Sequence, residues 1–229
     1  QHRWSLFLEL MRWAEGGSCR HDAILRYFGD EAETLADRYA GTLLGLACGD
    51  ALGVPYEFAS RVPEVPAMVG GGLGPYAPGE WSDDTQMAVC IARVAATGAD
   101  LTSPDALDEV ASAFEEWRRG GASDIGNQTA AVLRRAGQLT GRASERLAQA
   151  SVEHLAATGR AAGNGALMRT GVVGLTRLAD RGATAAAARA VADLTHADPL
   201  AGDSCVLWSE AIRIAVTERR LDLVSGLDL

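Results

Sequence analysis

The sequence predicts an all-α protein, and three observations support this fold class. Apolar residues recur at helical spacing in most segments of the 229-residue chain. Alanine and glycine are abundant and aromatic residues make up only 6% of the chain, which favours close packing of helices. No segment has a convincing strand pattern, and we assign the apolar residues 172–175 to a helix that starts at Ala166. We therefore expect helices throughout.

The predicted helices follow one another along the chain. Residues 4–28 predict a short helical pair, and a new helix begins near Ala36. Residues 60–80 are rich in glycine and proline and predict a surface loop. The remaining predicted helices span residues 87–96, 105–118, 129–139, 144–157, 184–195 and 204–217. From this pattern we predict an N-terminal helical hairpin over 1–33 and a main domain over 34–229.

Composition excludes several classes of protein. The net charge of −9 argues against a broad surface for nucleic acid or anionic membrane. No apolar run reaches the roughly 18 residues of a membrane span. Four widely spaced cysteines without a Cys-x-x-Cys pair predict neither a zinc site nor a disulfide framework. Because no signal peptide is visible either, we expect a cytoplasmic protein.

Residues 82–85, Ser-Asp-Asp-Thr, place two carboxylates and two hydroxyls just before an apolar, helix-like stretch. Such hard oxygen donors suit Mg²⁺, Mn²⁺ or Ca²⁺. The same pattern is typical of an ordinary helix start, where serine caps the helix and aspartates complement its dipole. The two interpretations are compatible, because a helix N-terminus can present both carboxylates to a cavity.

Two further acids stand in contexts that leave their role open. Glu57 lies between Tyr56 and Phe58, where we expect partial burial, and a half-buried carboxylate often has a raised pKa or a cationic partner. The alternative is a glycine-rich helix end with a solvated Glu57. Asp124 lies just before Asn127 in a segment that an ordinary capping loop explains fully.

The segment 162–169, Ala-Gly-Asn-Gly-Ala-Leu-Met-Arg, combines two glycines with a predicted helix start. Gly163 and Gly165 allow left-handed backbone and close approach of a ligand. The helix start behind them offers free N–H groups to an anion such as a diphosphate. Arg169 could pair with a phosphate or form a surface ion pair. His196, before a proline-containing turn, is either structural or a hydrogen-bond partner of a ligand hydroxyl or phosphate.

Taken in order, five segments resemble the ADP-ribosylglycohydrolase family. They are GLACGDALGVPYEF, WSDDTQMAV, DIGNQT, GNGALMR and LTHADP, and they cover residues from about 36 to 217. The resemblance implies a compact multi-helix, all-α domain around a cleft with two Mg²⁺ ions, with Mn²⁺ as an alternative metal. It also implies hydrolytic removal of ADP-ribose, commonly from an arginine or a serine side chain.

Carried over by the resemblance, the site residues form three groups. The metal ligands are Ser82, Asp83 and Asp84. The candidate acid/base residues are Glu57 and Asp124, of which Glu57 is the stronger candidate. The residues that hold ADP-ribose are Asn127, Gly163, Asn164, Gly165, Met168, Arg169 and His196.

The sequence departs from the resemblance in one respect and adds a weak second one. The family completes its metal site with an Asp-x-Asp-Thr/Ser motif near the C-terminus, and no such motif follows Pro199. We therefore expect a C-terminally incomplete domain with weakened metal affinity and exposed apolar surface. Residues 18–30 resemble part of the zinc-binding module of RecQ-family DNA helicases. Only Cys19 of its ligands is present, so we expect no zinc there.

Three functions are compatible with these observations. The first is an Mg²⁺-dependent hydrolase acting on an ADP-ribosylated protein or a small-molecule ADP-ribosyl compound. The second is a catalytically inactive ADP-ribose-binding module or an enzyme fragment, which an intact ADP-ribose loop without a second metal motif would suit. The third is a DNA-associated adaptor that uses the N-terminal hairpin. The acidic charge argues against the third, and we expect neither a nucleic-acid nor a membrane partner.

Overall fold

The computed structural model of the chain describes residues 35–61 and 63–229, and these residues confirm the all-α prediction. They form eight α-helices, two short 3₁₀ helices and no strand, apart from one isolated bridge between Gly71 and Tyr76. The predicted hairpin over residues 1–33 and the segment that resembles a zinc-binding module lie outside the described residues. Among the described helices, none has both the length and the apolar character to cross a membrane.

The helices follow the predicted order. The α-helices are α1 (Leu35–Gly53), α2 (Asp83–Ala95), α3 (Pro104–Arg119), α4 (Asn127–Ala136), α5 (Ala143–Thr158), α6 (Leu167–Thr170), α7 (Arg181–Asp193) and α8 (Pro199–Glu218). The 3₁₀ helices are Val54–Tyr56 and Val173–Leu175.

Several predicted boundaries were wrong; helix α2, for example, begins at Asp83 rather than Met87. Two of the differences have a clear physical cause. Helix α8 begins at Pro199 rather than Ser204, because the Asp198 carboxylate caps it by accepting from the Leu200 N–H and proline fits the first helical position. The helix predicted from Ala166 through 172–175 is instead two short pieces. The chain turns there to pack against α8, and Gly174 approaches it so closely that an added Cβ would lie 2.4 Å from the Ser209 carbonyl oxygen.

The chain divides into two units, one that ends at Ser82 and one that spans Asp83–Leu229. In the described part of the first unit, α1 leads through the 3₁₀ helix into the predicted glycine- and proline-rich loop. The Tyr56 hydroxyl donates to the Ala67 carbonyl at 3.0 Å and accepts from the Ala67 N–H at 2.9 Å. One side chain thus joins the 3₁₀ helix to the loop.

In the second unit, α7 packs along α8, α5 packs on α3 and α4, and α2 lies against α3 and α6. Its core is built from fully buried apolar side chains on these helices: Met87, Ile91, Val110, Phe114, Val132, Leu147, Val191 and Ile214. The Trp117 indole N–H donates to the Gln86 side-chain oxygen at 2.6 Å and fixes α2 against α3. This packing positions the segments described next.

Candidate functional site

The glycine loop, residues 161–166, lies directly on three side chains that we call the seat: Gln128, Thr129 and His196. An added Cβ at Gly163 would lie 3.1 Å from the Gln128 Oε1 and 3.4 Å from the His196 Nε2. One at Gly165 would lie 2.9 Å from the Thr129 Oγ1 and 3.0 Å from the His196 Cε1. The fold therefore brings together Gly163, Gly165 and His196, which the sequence predicted separately.

Two side chains attach the glycine loop to the helices around it. The Gln128 amide donates to the Ala161 carbonyl at 2.8 Å and to the Thr195 carbonyl at 3.2 Å, and its oxygen accepts from the Gly163 N–H at 3.4 Å. The Asp198 carboxylate accepts from the Ala161 N–H at 2.9 Å while it also caps α8. Neither residue was predicted as part of the site. The only signal in the sequence was that both lie within the matched segments.

Arg169 lies beneath the glycine loop, fully buried. Its Nη1 donates to the Gly165 carbonyl at 2.9 Å, and its Nη2 donates to the Val191 carbonyl at 3.2 Å and to the Thr195 Oγ1 at 2.8 Å. Its guanidinium carbon lies 4.6 Å from the centre of the Phe114 ring, a cation–π contact. Among the described residues no carboxylate pairs with it. Burial lowers the pKa of Arg169 to about 10, so it stays charged at neutral pH.

This placement differs from the predicted roles of Arg169, a contact with phosphate or a surface ion pair. The side chain supports the loop from below, and both Nη atoms are engaged by the protein.

Two further features of this segment differ from what the sequence suggested. Neither Gly163 nor Gly165 has a positive φ, so close packing on the seat is what requires glycine here. Helix α6 has only four residues and the Met168 N–H already donates to the Asn164 carbonyl, so the helix start offers fewer free N–H groups than the sequence suggested.

His196 is 1% exposed and uncharged at neutral pH. Burial, and then the charge of Arg169, lower its pKa to about 3. Its Nδ1 lies 2.8 Å from the Thr195 Oγ1, while its Nε2 is turned toward Gly163 and Gly165. The ring is therefore held at one nitrogen and faces the glycine loop with the other.

The remaining predicted ADP-ribose residues lie near these elements. Asn127 is exposed at the first position of α4, next to Gln128. Asn164 is exposed at the tip of the glycine loop, and Met168 is half-buried in α6. All three are thus on the segments that form the loop and its seat.

The predicted metal ligands are consecutive in the chain. Ser82 is buried, and both its N–H and its hydroxyl donate to the Asp50 carboxylate, the hydroxyl at 2.7 Å. Since that hydroxyl donates its only hydrogen to Asp50, its lone pairs are left for a cation. Asp83 and Asp84 are half-buried in the first turn of α2. Asp50 was not predicted as a site residue, because its partner is 32 positions away.

Helix α2 connects the acidic pair to the glycine loop. Met87 lies one turn after Asp83 on this helix, and its sulfur is 3.9 Å from the Arg169 Nη1. Among residues 35–61 and 63–229, however, no group of three or more His, Cys, Asp or Glu side chains is placed to hold a metal ion. The donor chemistry fits a hard cation, but these residues supply only part of a ligand set.

The two candidate acid/base residues lie in loops. Glu57 directly follows the Val54–Tyr56 3₁₀ helix and is exposed, so the expected partial burial was wrong. Phe58 has a φ of 56° and is 85% exposed, and the Tyr56 hydroxyl is bonded to Ala67. Asp124 is half-buried in the loop before α4.

A sequence model described as ADP-ribosylglycohydrolase matches residues 31–228. The chain belongs to the ADP-ribosylglycohydrolase family. The resemblance of residues 18–30 to a helicase zinc-binding module is not borne out, since the family match begins after them. No second family is therefore needed to account for the described residues.

Curated relatives agree with this family. An ADP-ribosylarginine hydrolase Tri1 from Pseudomonas putida (strain GB-1) is 42% identical over 111 residues, covering 44% of this chain and 28% of the relative. An ADP-ribosyl-[dinitrogen reductase] glycohydrolase from Rhodospirillum rubrum is 31% identical over 179 residues, covering 74% of this chain and 55% of the relative. The chain thus spans about half the length, or less, of these relatives.

A solved structure described as an ADP-ribosylglycohydrolase-related protein complex has the same fold. It superposes with a TM-score of 0.53 at 29% identity, covering 78% of this chain and 56% of that one. The fold and the family therefore rest on sequence and structure together.

Proposed function

We propose that this ADP-ribosylglycohydrolase removes ADP-ribose from modified protein side chains by hydrolysing the glycosidic bond at the ribose. The observation that carries the proposal is the glycine loop seated on Gln128 and His196 above the buried Arg169. A buried guanidinium with no carboxylate partner among the described residues creates a positive potential at the loop. That potential favours an anionic ligand such as the diphosphate of ADP-ribose.

Arginine is the modified side chain that we propose first. Two curated relatives, from Pseudomonas putida and Serratia proteamaculans, are named ADP-ribosylarginine hydrolases, and each is 42% identical to the matched part of this chain. ADP-ribosyl-serine and small-molecule ADP-ribosyl compounds are the alternatives.

Glu57 and Asp124 are the proposed acid/base candidates. Cleavage at the ribose builds oxocarbenium character on the sugar, and a carboxylate can transfer the proton of the leaving group or of the attacking water. Glu57 remains our first candidate. Turnover that stays within a few-fold of wild type in Glu57→Ala would transfer the role to Asp124.

Ser82, Asp83 and Asp84 are the proposed ligands for Mg²⁺, with Mn²⁺ as the alternative. Their hard oxygens fit an ion that is commonly held by one or two carboxylates and keeps several waters. When bound, such an ion holds substrate oxygens and lowers the pKa of a bound water. The second ion expected from the family resemblance would need ligands beyond these three. Asp50 holds the Ser82 hydroxyl in the orientation that a ligand requires.

A second candidate function is an ADP-ribose-binding module without turnover. It is favoured by the incomplete ligand set among the described residues, because the seat and the glycine loop do not depend on that set for their geometry. Both proposed functions include a cytoplasmic location for the protein. This location is supported by Cys48, Cys90 and Cys205, which are unpaired in the part of the chain that the structure describes.

The deciding experiment measures ADP-ribose release from ADP-ribosyl-arginine and ADP-ribosyl-serine peptides, with Mg²⁺ and with EDTA. We expect release from the arginine peptide that EDTA abolishes and that Asp83→Asn/Asp84→Asn reduces at least about a hundredfold. The matched control is Glu109→Gln, which removes an exposed acid of α3 that has no partner among the described residues.

Binding of free ADP-ribose without release from either peptide would favour the binding module. If the protein neither binds ADP-ribose nor releases it from either peptide, both proposals are overturned. Equal loss in Glu109→Gln and in the double variant would show that net charge, and not the acidic pair, matters.

A further inference from the structure

Thr195 is buried between two polar groups of the site. Its Oγ1 lies 2.8 Å from the Arg169 Nη2 and 2.8 Å from the His196 Nδ1, and the residue is 0% exposed. Among the described residues, this oxygen has no other hydrogen-bond partner. The three side chains therefore form a short chain of hydrogen bonds from the guanidinium to the imidazole.

The direction of these hydrogen bonds follows from which groups can donate. Arginine can only donate, so the Thr195 oxygen accepts from Arg169. The hydroxyl hydrogen of Thr195 then has one available acceptor, the Nδ1 of His196. If Nδ1 carried a hydrogen instead, the Thr195 hydroxyl hydrogen would be buried without an acceptor, which costs about 1–3 kcal/mol.

Because His196 is neutral, its single ring hydrogen must then lie on Nε2. The charged or titratable groups that act on the ring are Arg169 and His154, and both disfavour the imidazolium form. The Nε2 lies 3.2 Å from the position of an added Cβ at Gly165 and 3.4 Å from that at Gly163. The hydrogen on Nε2 is therefore presented at the glycine loop.

We propose that Arg169 and Thr195 are positioning residues that fix His196 in the Nε2–H tautomer, so that it donates a hydrogen bond to an oxygen of ADP-ribose. The ligand assignment rests on the proposed function, but the tautomer does not. The phosphate and ribose oxygens of ADP-ribose accept hydrogen bonds, and a ring that presented a bare Nε2 would repel a phosphate oxygen. Arg169 thus acts on the ligand through the polarity of His196 as well as through its charge.

The first test is nitrogen NMR of the imidazole rings in the wild-type protein at neutral pH without ligand. The His196 signals are identified by their loss in His196→Gln. We expect the chemical shift of a protonated nitrogen at Nε2 and of an unprotonated one at Nδ1. The reverse pattern would overturn the proposal. This result comes from the wild-type protein and does not depend on whether a variant folds.

The second test compares Thr195→Val with Thr195→Ser. Valine keeps the shape but removes the hydroxyl, so we expect a mixture of tautomers and about tenfold weaker binding of ADP-ribose by calorimetry. Serine keeps the hydroxyl, so both the single tautomer and the affinity should return to within about twofold of wild type.

The outcomes separate this proposal from the proposed function. A single Nε2–H tautomer that persists in Thr195→Val would overturn the role of Thr195. If the wild type and the variants show the expected tautomers but none of them binds ADP-ribose, the result supports the positioning role of Thr195. It then overturns ADP-ribose as the ligand of His196.

Discussion

At the residue scale, the site depends on close contacts that only small side chains permit. A Cβ added at Gly165 would meet both Thr129 and His196, and the Gly165 carbonyl accepts from Arg169. The residue is therefore confined both by the seat and by Arg169 and cannot yield easily. A side chain here would displace the loop from its seat rather than fill space.

We predict that Gly165→Ala loses stability and ligand affinity together. Its Cβ would lie 2.9 Å from the Thr129 Oγ1, so the free energy of unfolding should fall by about 1–3 kcal/mol. Denaturant unfolding and calorimetry with ADP-ribose measure the two effects. Gly45→Ala is the control, because a Cβ at this exposed helical position has no neighbour within 4 Å among the described residues and should stabilise by about 0.5–1 kcal/mol. Unchanged affinity in Gly165→Ala would show that the loop does not contact the ligand.

The sequence predicted which residues lie together at the glycine loop better than it predicted their contacts. Glycine spacing and a lone histidine marked Gly163, Gly165 and His196. The sequence could not show that Arg169 points inward, since its carbonyl and hydroxyl partners lie up to 26 positions away and the Met87 sulfur lies 82 positions away. Gln128 was missed for the same reason, because its hydrogen bonds reach 33 and 67 positions along the chain.

At the element scale, one carboxylate serves a helix and a loop at once. Asp198 accepts from the Leu200 N–H at the start of α8 and from the Ala161 N–H of the glycine loop. Asp180 caps α7 in the same way, through the Ala183 N–H, but its side chain accepts nothing from the loop. The two aspartates are therefore a matched pair that differ in their contact with the site.

We predict that Asp198→Ala and Asp180→Ala each lower the free energy of unfolding by about 1 kcal/mol through loss of the cap. Only Asp198→Ala should also weaken ADP-ribose binding, because it releases the backbone at Ala161. Thermal unfolding and ligand titration on both variants make the comparison. Equal affinities in the two variants would mean that the loop holds its shape without Asp198.

The helices themselves were predictable because apolar periodicity and capping residues agree along most of the chain. The exceptions have local causes. The proline at 199 predicts a turn as readily as a helix start, and only the neighbouring Asp198 decides between them. The break between α6 and the 3₁₀ helix depends on contact with α8, which periodicity does not encode.

At the scale of the whole molecule, a buried neutral histidine links folding to pH. The pKa of His196 is about 3 in the folded protein, against 6.5 for the free side chain. Between these values the unfolded state binds a proton that the folded state does not. Stability must therefore fall as pH falls below about 6.5.

We predict that the free energy of unfolding decreases between pH 6.5 and about pH 5 with a contribution from His196 approaching 1.4 kcal/mol per pH unit. Urea unfolding over this range measures the slope. His196→Gln should show a slope smaller by about one proton, since the other histidines are unchanged. An identical slope in the variant would mean that His196 is protonated in the folded protein.

Apolar side chains are also exposed near the end of the described chain. Leu221 and Leu227 are each 71% exposed and Val224 is 69% exposed. Exposed apolar surface was expected from the sequence, and the C-terminally incomplete domain stays a prediction.

The attachment of the glycine loop by side chains has a consequence for its dynamics. The amides of Ala161 and Gly163 are bonded to Asp198 and Gln128 rather than to a helix or a sheet, at 2.9 Å and 3.4 Å. Their hydrogen exchange with solvent therefore reports release of a carboxylate or an amide group, and not the unwinding of regular structure. The shorter bond makes Ala161 the slower of the two to exchange. A ligand that holds the loop closed would slow exchange at both amides and leave exchange in the helix interiors unchanged. Exchange at these two amides therefore reports how often the loop opens.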